Sequence, residues 1–287
     1  MDPAVATLAT SSAFRDLKVF LTTLDLFNAI KPKVYLLCDT ALKEQVIATR
    51  IYGGEIIFST GLNNYTGKTR RIMERTPGHF YKTEWEDFMM EKATVLDLAY
   101  AAGEQRVFFF DSDICFMGPL PTVPATAKLG LSRHMIRPAD EARFGIYNAG
   151  FVYTADSIIP QKWRAASKHS RYYDQAALEE LDKDYLASDA VYYFPIQNNY
   201  GWWRMYQGTE SPQANAANWS INRIAGTSGL CISKLPLMSI HTHWGEAHDL
   251  ATANFNRFVY VTLQKLRSHR PAATLTRFID AEFPHLK

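Results

Sequence analysis

Asp111-Ser112-Asp113 follows directly on the apolar run Val107-Phe108-Phe109-Phe110. A short, nearly continuous apolar run reads as a strand buried on both faces. Ligands of open α/β sheets bind outside the carboxyl ends of such strands. Two carboxylates placed there repel each other and cost desolvation unless a cation compensates them. A hard divalent ion, which prefers oxygen ligands, is the natural compensator. The alternative is that Asp111 caps the next turn and Asp113 is solvated. Three further groups could do chemistry. Ile240-His241-Thr242-His243 sets two imidazoles two residues apart, so that in an extended strand both face the same way. Asp174-Gln175 opens a helix, where the acid can also serve as an N-cap. Asn148-Ala149-Gly150 joins an amide to small residues that permit a close backbone approach.

The elements that must position these groups alternate along the first half. Val5 to Thr10 reads as a strand, and Ser11 or Ser12 as the cap of a helix from about Phe14 to Asn28. Lys33 to Cys38 is a second strand, followed by a helix to about Arg50 capped by Asp39 or Thr40; Glu55 to Ser59 is a third strand. Such βα steps argue for a parallel sheet. The basic stretch Asn63 to His79 suits an excursion outside the sheet, and a helix from about Thr83 to Ala101, ended by Gly103, leads into the Phe-rich strand. Further strands are expected at Lys128 to Arg133, Asn148 to Tyr153, Val191 to Phe194 and Leu237 to His241. Helices are expected near Pro160 to Lys168, Asp174 to Leu181 and Asn254 to His269, the last as a packing helix rather than a membrane-surface one.

With 287 residues, 47% of them hydrophobic and 21% charged, the composition is that of a globular α/β protein. A net charge of +2 provides no basic field, so no nucleic-acid partner is expected. Cys38, Cys115 and Cys231 are dispersed and odd in number, with neither metal-ligand spacing nor a disulfide framework, which favours a reducing compartment. The stretch Met1 to Ser12 lacks the features of a signal peptide, and no apolar run is long enough to span a membrane. The expectation is a cytoplasmic protein of one domain over 1–287. Its first half, nucleotide-like in its βα alternation, covers about 1–115, a more variable half about 116–250, and a helical segment 251–287.

The apolar strand ending in Asp-x-Asp, the Asn-Ala-Gly strand, the Asp-Gln helix start and the late strand ending in His occur in an order and spacing that resembles a known family. It is that of the nucleotide-sugar glycosyltransferases of GT-A fold, most of all the retaining group that includes glycogenin and bacterial lipopolysaccharide galactosyltransferases. The resemblance runs from roughly Ala4 to Glu246. It implies a GT-A-type, Rossmann-like α/β fold with a mixed, mainly parallel sheet flanked by helices. It also implies transfer from a nucleoside diphosphate sugar to a hydroxyl of a glycan or glycoconjugate acceptor, with Mn2+ (or Mg2+) as cofactor.

Residue by residue, the resemblance implies that Asp111, Asp113 and one or both of His241 and His243 hold the metal against the donor diphosphate; the apolar residue before it favours His241. Ser112, Asn148, Ala149 and Gly150 lie against the donor, Asp174 grips sugar hydroxyls, and the Gln175 amide lies near the anomeric carbon. Lys92 stands near the family's donor-binding arginine, with a solvated helix lysine as the alternative. Thr10 and Ser11, joined by Asp39, fall where base and ribose bind. Where the family has Lys-Pro-Trp after the histidine this chain has Glu246-Ala247-His248, so the resemblance does not carry over the usual lysine contact to the diphosphate. Lys68, Arg70 and Arg71 either close over the diphosphate or form a solvated face. In the aromatic segment Tyr192 to Trp203, Trp202 and Trp203 could stack on an acceptor sugar while Gln197, Asn198 and Asn199 bond its hydroxyls; core packing is the alternative.

An inverting enzyme would need a carboxylate base such as Asp140, Glu141 or Asp174. A nucleotidyltransferase would carry a Gly-rich basic loop that Thr10-Ser11-Ser12-Ala13-Phe14 does not resemble, and a non-catalytic carbohydrate-binding relative would keep the fold without turnover.

Overall fold

The computed structural model describes residues 2–224, 227–245, 249–268 and 271–286. The chain begins β1 (Ala4–Ala9), α1 (Phe14–Phe27), β2 (Val34–Cys38), α2 (Thr40–Thr49), β3 (Ile56–Ser59), as the alternation predicts. Asp39 caps α2 by accepting the Leu42 N–H at 2.7 Å, and Arg50 ends it in the left-handed region at φ 47°. Neither Ser11 nor Ser12 caps α1, because the turn before that helix has no side-chain cap and Ser11 bonds Asp39 instead. The basic excursion holds a 3-10 turn (Asn63–Tyr65) and the short α3 (Arg70–Met73), after which α4 (Glu84–Ala101), capped by Thr83, leads into β4 (Val107–Phe110).

Beyond β4 come β5 (Ile114–Phe116), β6 (Leu129–Arg133), α5 (Pro138–Phe144), β7 (Tyr147–Thr154), α6 (Ile159–Ser167), α7 (Tyr173–Leu186) and β8 (Val191–Phe194). The last third holds β9 (Tyr200–Gly201), α8 (Trp202–Tyr206), α9 (Pro212–Ala217), β10 (Trp219–Ile224), β11 (Thr227–Ile232), β12 (Leu235–Pro236), β13 (Ser239–His241), α10 (Leu250–Gln264) and α11 (Ala272–Glu282). The expected strand from Leu237 is shorter, beginning at Ser239, and the helix expected from Asn254 begins earlier, after its Asp249 cap. His269, the expected end of that helix, lies outside the described residues.

One sheet has seven strands in the order β3-β2-β1-β4-β7-β6-β8. The β3-β2-β1-β4 block is parallel, β7 runs antiparallel between β4 and β6, and β6 pairs β8 in parallel, so the sheet is mixed and mainly parallel. Phe109 packs into the core on one face, while Phe108 and Phe110 pack into the core on the other, all three fully buried. Each such burial stabilises by about 1.5–3 kcal/mol, which explains why β4 carries no polar face. A small sheet, β5-β13-β9, continues from the end of β4, and β10-β11-β12 form another. These pack with α10 and α11 in a third apolar cluster around Phe255, Val259 and Leu263, so α10 is a packing helix.

Candidate functional site

β2 and β4 lie on opposite sides of β1, so the chain reverses direction across the sheet between β1 and β4. Ligands of open α/β sheets bind at such a reversal. A cleft of about 600 Å³ opens there. It is lined by Thr10, Lys92, Asp111, Ser112, Asp113, Asn148, Ala149, Gly150, Asp174, Gln175, Trp202, Trp203, His241 and His243.

Strand register brings the late histidines to the acidic pair. β13 pairs antiparallel with β5, opposing His241 to Ile114, and Thr242 continues the contact by bonding the Asp113 carbonyl through N–H (3.1 Å) and hydroxyl (2.9 Å). His241 Nε2 thereby comes within 2.9 Å of Asp113 Oδ1, and His243 Nδ1 within 2.6 Å of Asp113 Oδ2. Burial disfavours charge on Asp113, but His241 and His243 outweigh it and hold the carboxyl well below the usual range. One ligand atom from each of Asp113, His241 and His243 lies within 4.8 Å of the others. Asp113 presents both carboxylate oxygens to the two imidazoles, a carboxylate and nitrogen donor set that a divalent cation can hold in place of protons. The site therefore fits a divalent metal.

Asp111 bridges two groups: its Oδ2 lies 3.8 Å from His241 Nε2, while its Oδ1 faces Lys92. The Lys92 ammonium is 3.1 Å from Asp111 Oδ1, 2.9 Å from Asp174 Oδ2 and 3.4 Å from the Ala149 carbonyl. At 3% exposure Lys92 is not a solvated helix lysine. Burial would lower its pKa, but the two carboxylates outweigh that and raise it. Burial raises the Asp174 pKa despite Lys92. Asp174 does not cap its helix: it stands inside α7, after Tyr173, whose φ of 45° is in the left-handed region. Gln175 donates to the Phe144 carbonyl at 2.7 Å. Gly150 packs so tightly that an added Cβ would meet Asp111 Oδ2 at 2.2 Å and His241 Cε1 at 2.7 Å. Asn148 Oδ1 accepts from the Gly150 N–H (3.2 Å) and from Asn199 Nδ2 (3.0 Å).

Several expected site residues do other work. Asp39 is fully buried and accepts from Ser11 N–H (3.0 Å) and hydroxyl (2.9 Å), from Leu42 N–H (2.7 Å) and from the Thr66 hydroxyl (3.0 Å). Burial opposes its charge, yet these bonds together lower its pKa. Ser11 and Asp39 thus brace the first βα turn behind the cleft, while Thr10 and Ser12 line it. Gln197 and Asn198 are absent from the lining: both are buried, Gln197 donating to the Ile232 carbonyl (3.3 Å) and Asn198 accepting from Ser239 through its carbonyl. They are packing groups, because the backbone carbonyls of both residues accept from the segment that leads into β13, Gln197 from Met238 N–H and Asn198 from the Ser239 hydroxyl. Trp203 combines both readings, lining the cleft while its ring packs edge-on against His134 (5.6 Å) and His241 (4.9 Å). Lys68 and Arg70 line the cleft, Lys68 ion-paired to Glu84 and Arg70 lying 5.0 Å over the Trp85 ring, whereas Arg71 does not. Glu246, Ala247 and His248 lie outside the described residues.

Sequence patterns offered no sign of His134 or Asp16. His134 follows β6, bonds the Gly145 carbonyl through Nδ1 at 2.9 Å, and is driven by burial to a pKa of about 4. Asp16, on α1, accepts the Gly245 N–H at 3.0 and 3.1 Å and so holds the segment after His243. A lone histidine after a strand and a lone acid in an amphipathic helix belong to no spacing motif.

No protein-family model and no curated protein sequence matches the chain. Solved structures do match. The apo-form glycosyltransferase GlyE of Streptococcus pneumoniae TIGR4 superposes with a TM-score of 0.57 at 16% identity, covering 97% of this chain. The chain spans 60% of that protein's length. The galactosyltransferase LgtC, in complex with donor and acceptor sugar analogs, gives 0.53 at 15% identity over 97% of this chain and 95% of its own. Mouse xyloside xylosyltransferase 1 in its apo form gives 0.52 at 14% identity over 85% and 98%. The fold is therefore of the GT-A type, shared with these glycosyltransferases.

Proposed function

We propose that the protein transfers a sugar from a nucleoside diphosphate sugar to a hydroxyl of a glycan or glycoconjugate acceptor, with a divalent cation and with retention of anomeric configuration. The observation that carries this is the convergence of Asp113, His241 and His243 within 4.8 Å, in a cleft of a GT-A fold. When bound, the cation neutralises the negative charge that develops on the leaving diphosphate. Two imidazoles beside one carboxylate suit manganese better than magnesium, which prefers an all-oxygen shell.

The chain's own groups then divide the work. Lys92 fixes Asp111 and Asp174 as a charged wall, from which Asp174 accepts hydrogen bonds from sugar hydroxyls. Gly150, having no side chain, lets the Asp111 carboxylate and the His241 ring close against the backbone of β7. The Phe144 contact fixes the Gln175 amide beside the reacting centre. Retention is supported by the state of the acids lining the cleft. Asp16 is taken by Gly245, Asp111 and Asp174 by Lys92, Asp113 by the two histidines, and Asp249 by the cap of α10. Asp140 and Glu141 stand outside the lining, Asp140 paired with Arg137. Among the described residues none of these acids is poised as the base that inversion requires. The departing phosphate is then the base left to take the acceptor's proton on the same face.

The test is a panel of nucleoside diphosphate sugars incubated with manganese, read by release of nucleoside diphosphate and by proton NMR of the product. Turnover with a retained linkage is expected. Failure to turn over any donor contradicts the transferase reading, and an inverted linkage contradicts retention.

A further inference from the structure

A second cavity of about 340 Å³ adjoins the first, and Tyr173 lines both. Its wall on the side of α4 is a loop held in shape by one acid. Asp87, 9% exposed, accepts the N–H groups of His79, Phe80 (3.1 Å) and Tyr81 (2.9 Å). Gly78 permits the turn, since a Cβ there would meet the Tyr81 carbonyl oxygen at 2.5 Å. This bonding holds the Phe80 ring 76% exposed at the cavity rim. A rigidly presented aromatic face is a stacking platform for a sugar's C–H face.

The opposite wall, from the end of α6, contributes Ser167 and Lys168. Ser167 is 8% exposed, and its hydroxyl is buried without a hydrogen-bond partner. Such a group costs free energy until a ligand bonds it. Lys82 and Lys168 bring two exposed ammonium groups, neither with a carboxylate at ion-pair distance among the described residues. Glu86, the acid in the lining, accepts from the Lys82 backbone N–H at 2.8 Å. Tyr173 stands between the cavities in its left-handed conformation, immediately before Asp174. Non-glycine residues held in that region cluster at ligand-binding sites.

We propose that the second cavity is an acceptor subsite for a sugar bearing an anion, either a carboxylate or a phosphate, on a chain that enters the first cavity past Tyr173. Phe80 stacks on the ring, Ser167 donates to the sugar or its anion, and Lys82 and Lys168 neutralise the charge. The proposal rests on the sugar-transfer reading of the first cavity.

Binding of three probes to the full chain tests it: p-nitrophenyl β-glucoside, its 6-phosphate and p-nitrophenyl β-glucuronide, titrated by calorimetry. At least one anionic probe is expected to bind about tenfold tighter than the neutral one, as charge-assisted bonds imply. Which anion gains shows whether the group is a carboxylate or a phosphate. In the doubly substituted Lys82→Gln, Lys168→Gln protein the advantage disappears, and Phe80→Ala weakens all three probes. In the unaltered protein the advantage shrinks as salt is raised, a readout independent of any variant's folding. Equal binding of all three probes, or an advantage that survives the double substitution, overturns the subsite. Donor turnover by the unaltered protein, measured without any acceptor, tests the transferase reading separately.

Discussion

Lys92 and Asp174 form an ion pair at 2.9 Å in which neither side chain is more than 5% exposed. The same ammonium holds Asp111 at 3.1 Å, so one cation from α4 ties the end of β4 to the start of α7. Removing it leaves the buried Asp174 carboxylate uncompensated beside the half-buried Asp111. Breaking a buried pair from one side costs about 3–5 kcal/mol. Lys92→Met is therefore expected to lower stability by that order in urea unfolding and to abolish donor turnover. An unchanged unfolding midpoint would contradict a buried Lys92–Asp174 pair.

Gly150 makes a different prediction, because its neighbours are site groups rather than packing. A methyl group there displaces the Asp111 carboxylate and the His241 ring. Gly150→Ala should reduce donor turnover by about a hundredfold, the scale of a misplacement near 1 Å, while the melting temperature moves little. Equal loss of stability and activity would mean that the residue serves the fold alone.

His134 sets a pH dependence of stability. Its pKa falls from 6.5 to about 4 through burial, so the unfolded chain binds a proton between those values that the folded protein does not. Stability therefore rises with pH across that window and is lost as pH falls from 6.5 toward 4, by up to about 3 kcal/mol. Urea midpoints at pH 7 and pH 4.5 measure the loss, and His134→Gln should reduce it. An identical pH slope in the variant would contradict the assignment.

The parallel half of the fold was legible because its strands are buried on both faces and its helices carry amphipathic patterns and caps. The order Asp111, Asn148, Asp174, His241 was legible through its resemblance to a known family, each residue standing at or beside the terminus of an element. Less readable was what depends on register and on contacts across the sheet. The three-residue β5 and β13 bring His241 beside Asp113 through their pairing, and elements that short leave no periodicity. Lys92 was placed at the donor by resemblance, but its own surroundings were not legible, because its partners Asp111 and Asp174 lie 19 and 82 positions along the chain. Gln197 and Asn198 were drawn to the acceptor by composition, whereas their burial follows from packing that composition does not encode.

The account turns on whether Asp113, His241 and His243 hold a divalent cation. Manganese titration followed by electron paramagnetic resonance tests this most directly, with the unaltered protein compared with Asp113→Ala, His241→Ala and His243→Ala. One bound ion per chain is predicted, with affinity reduced by at least about tenfold in each variant, as loss of a metal ligand implies, and most in Asp113→Ala. Manganese binding that is equal in the unaltered protein and in Asp113→Ala would contradict it.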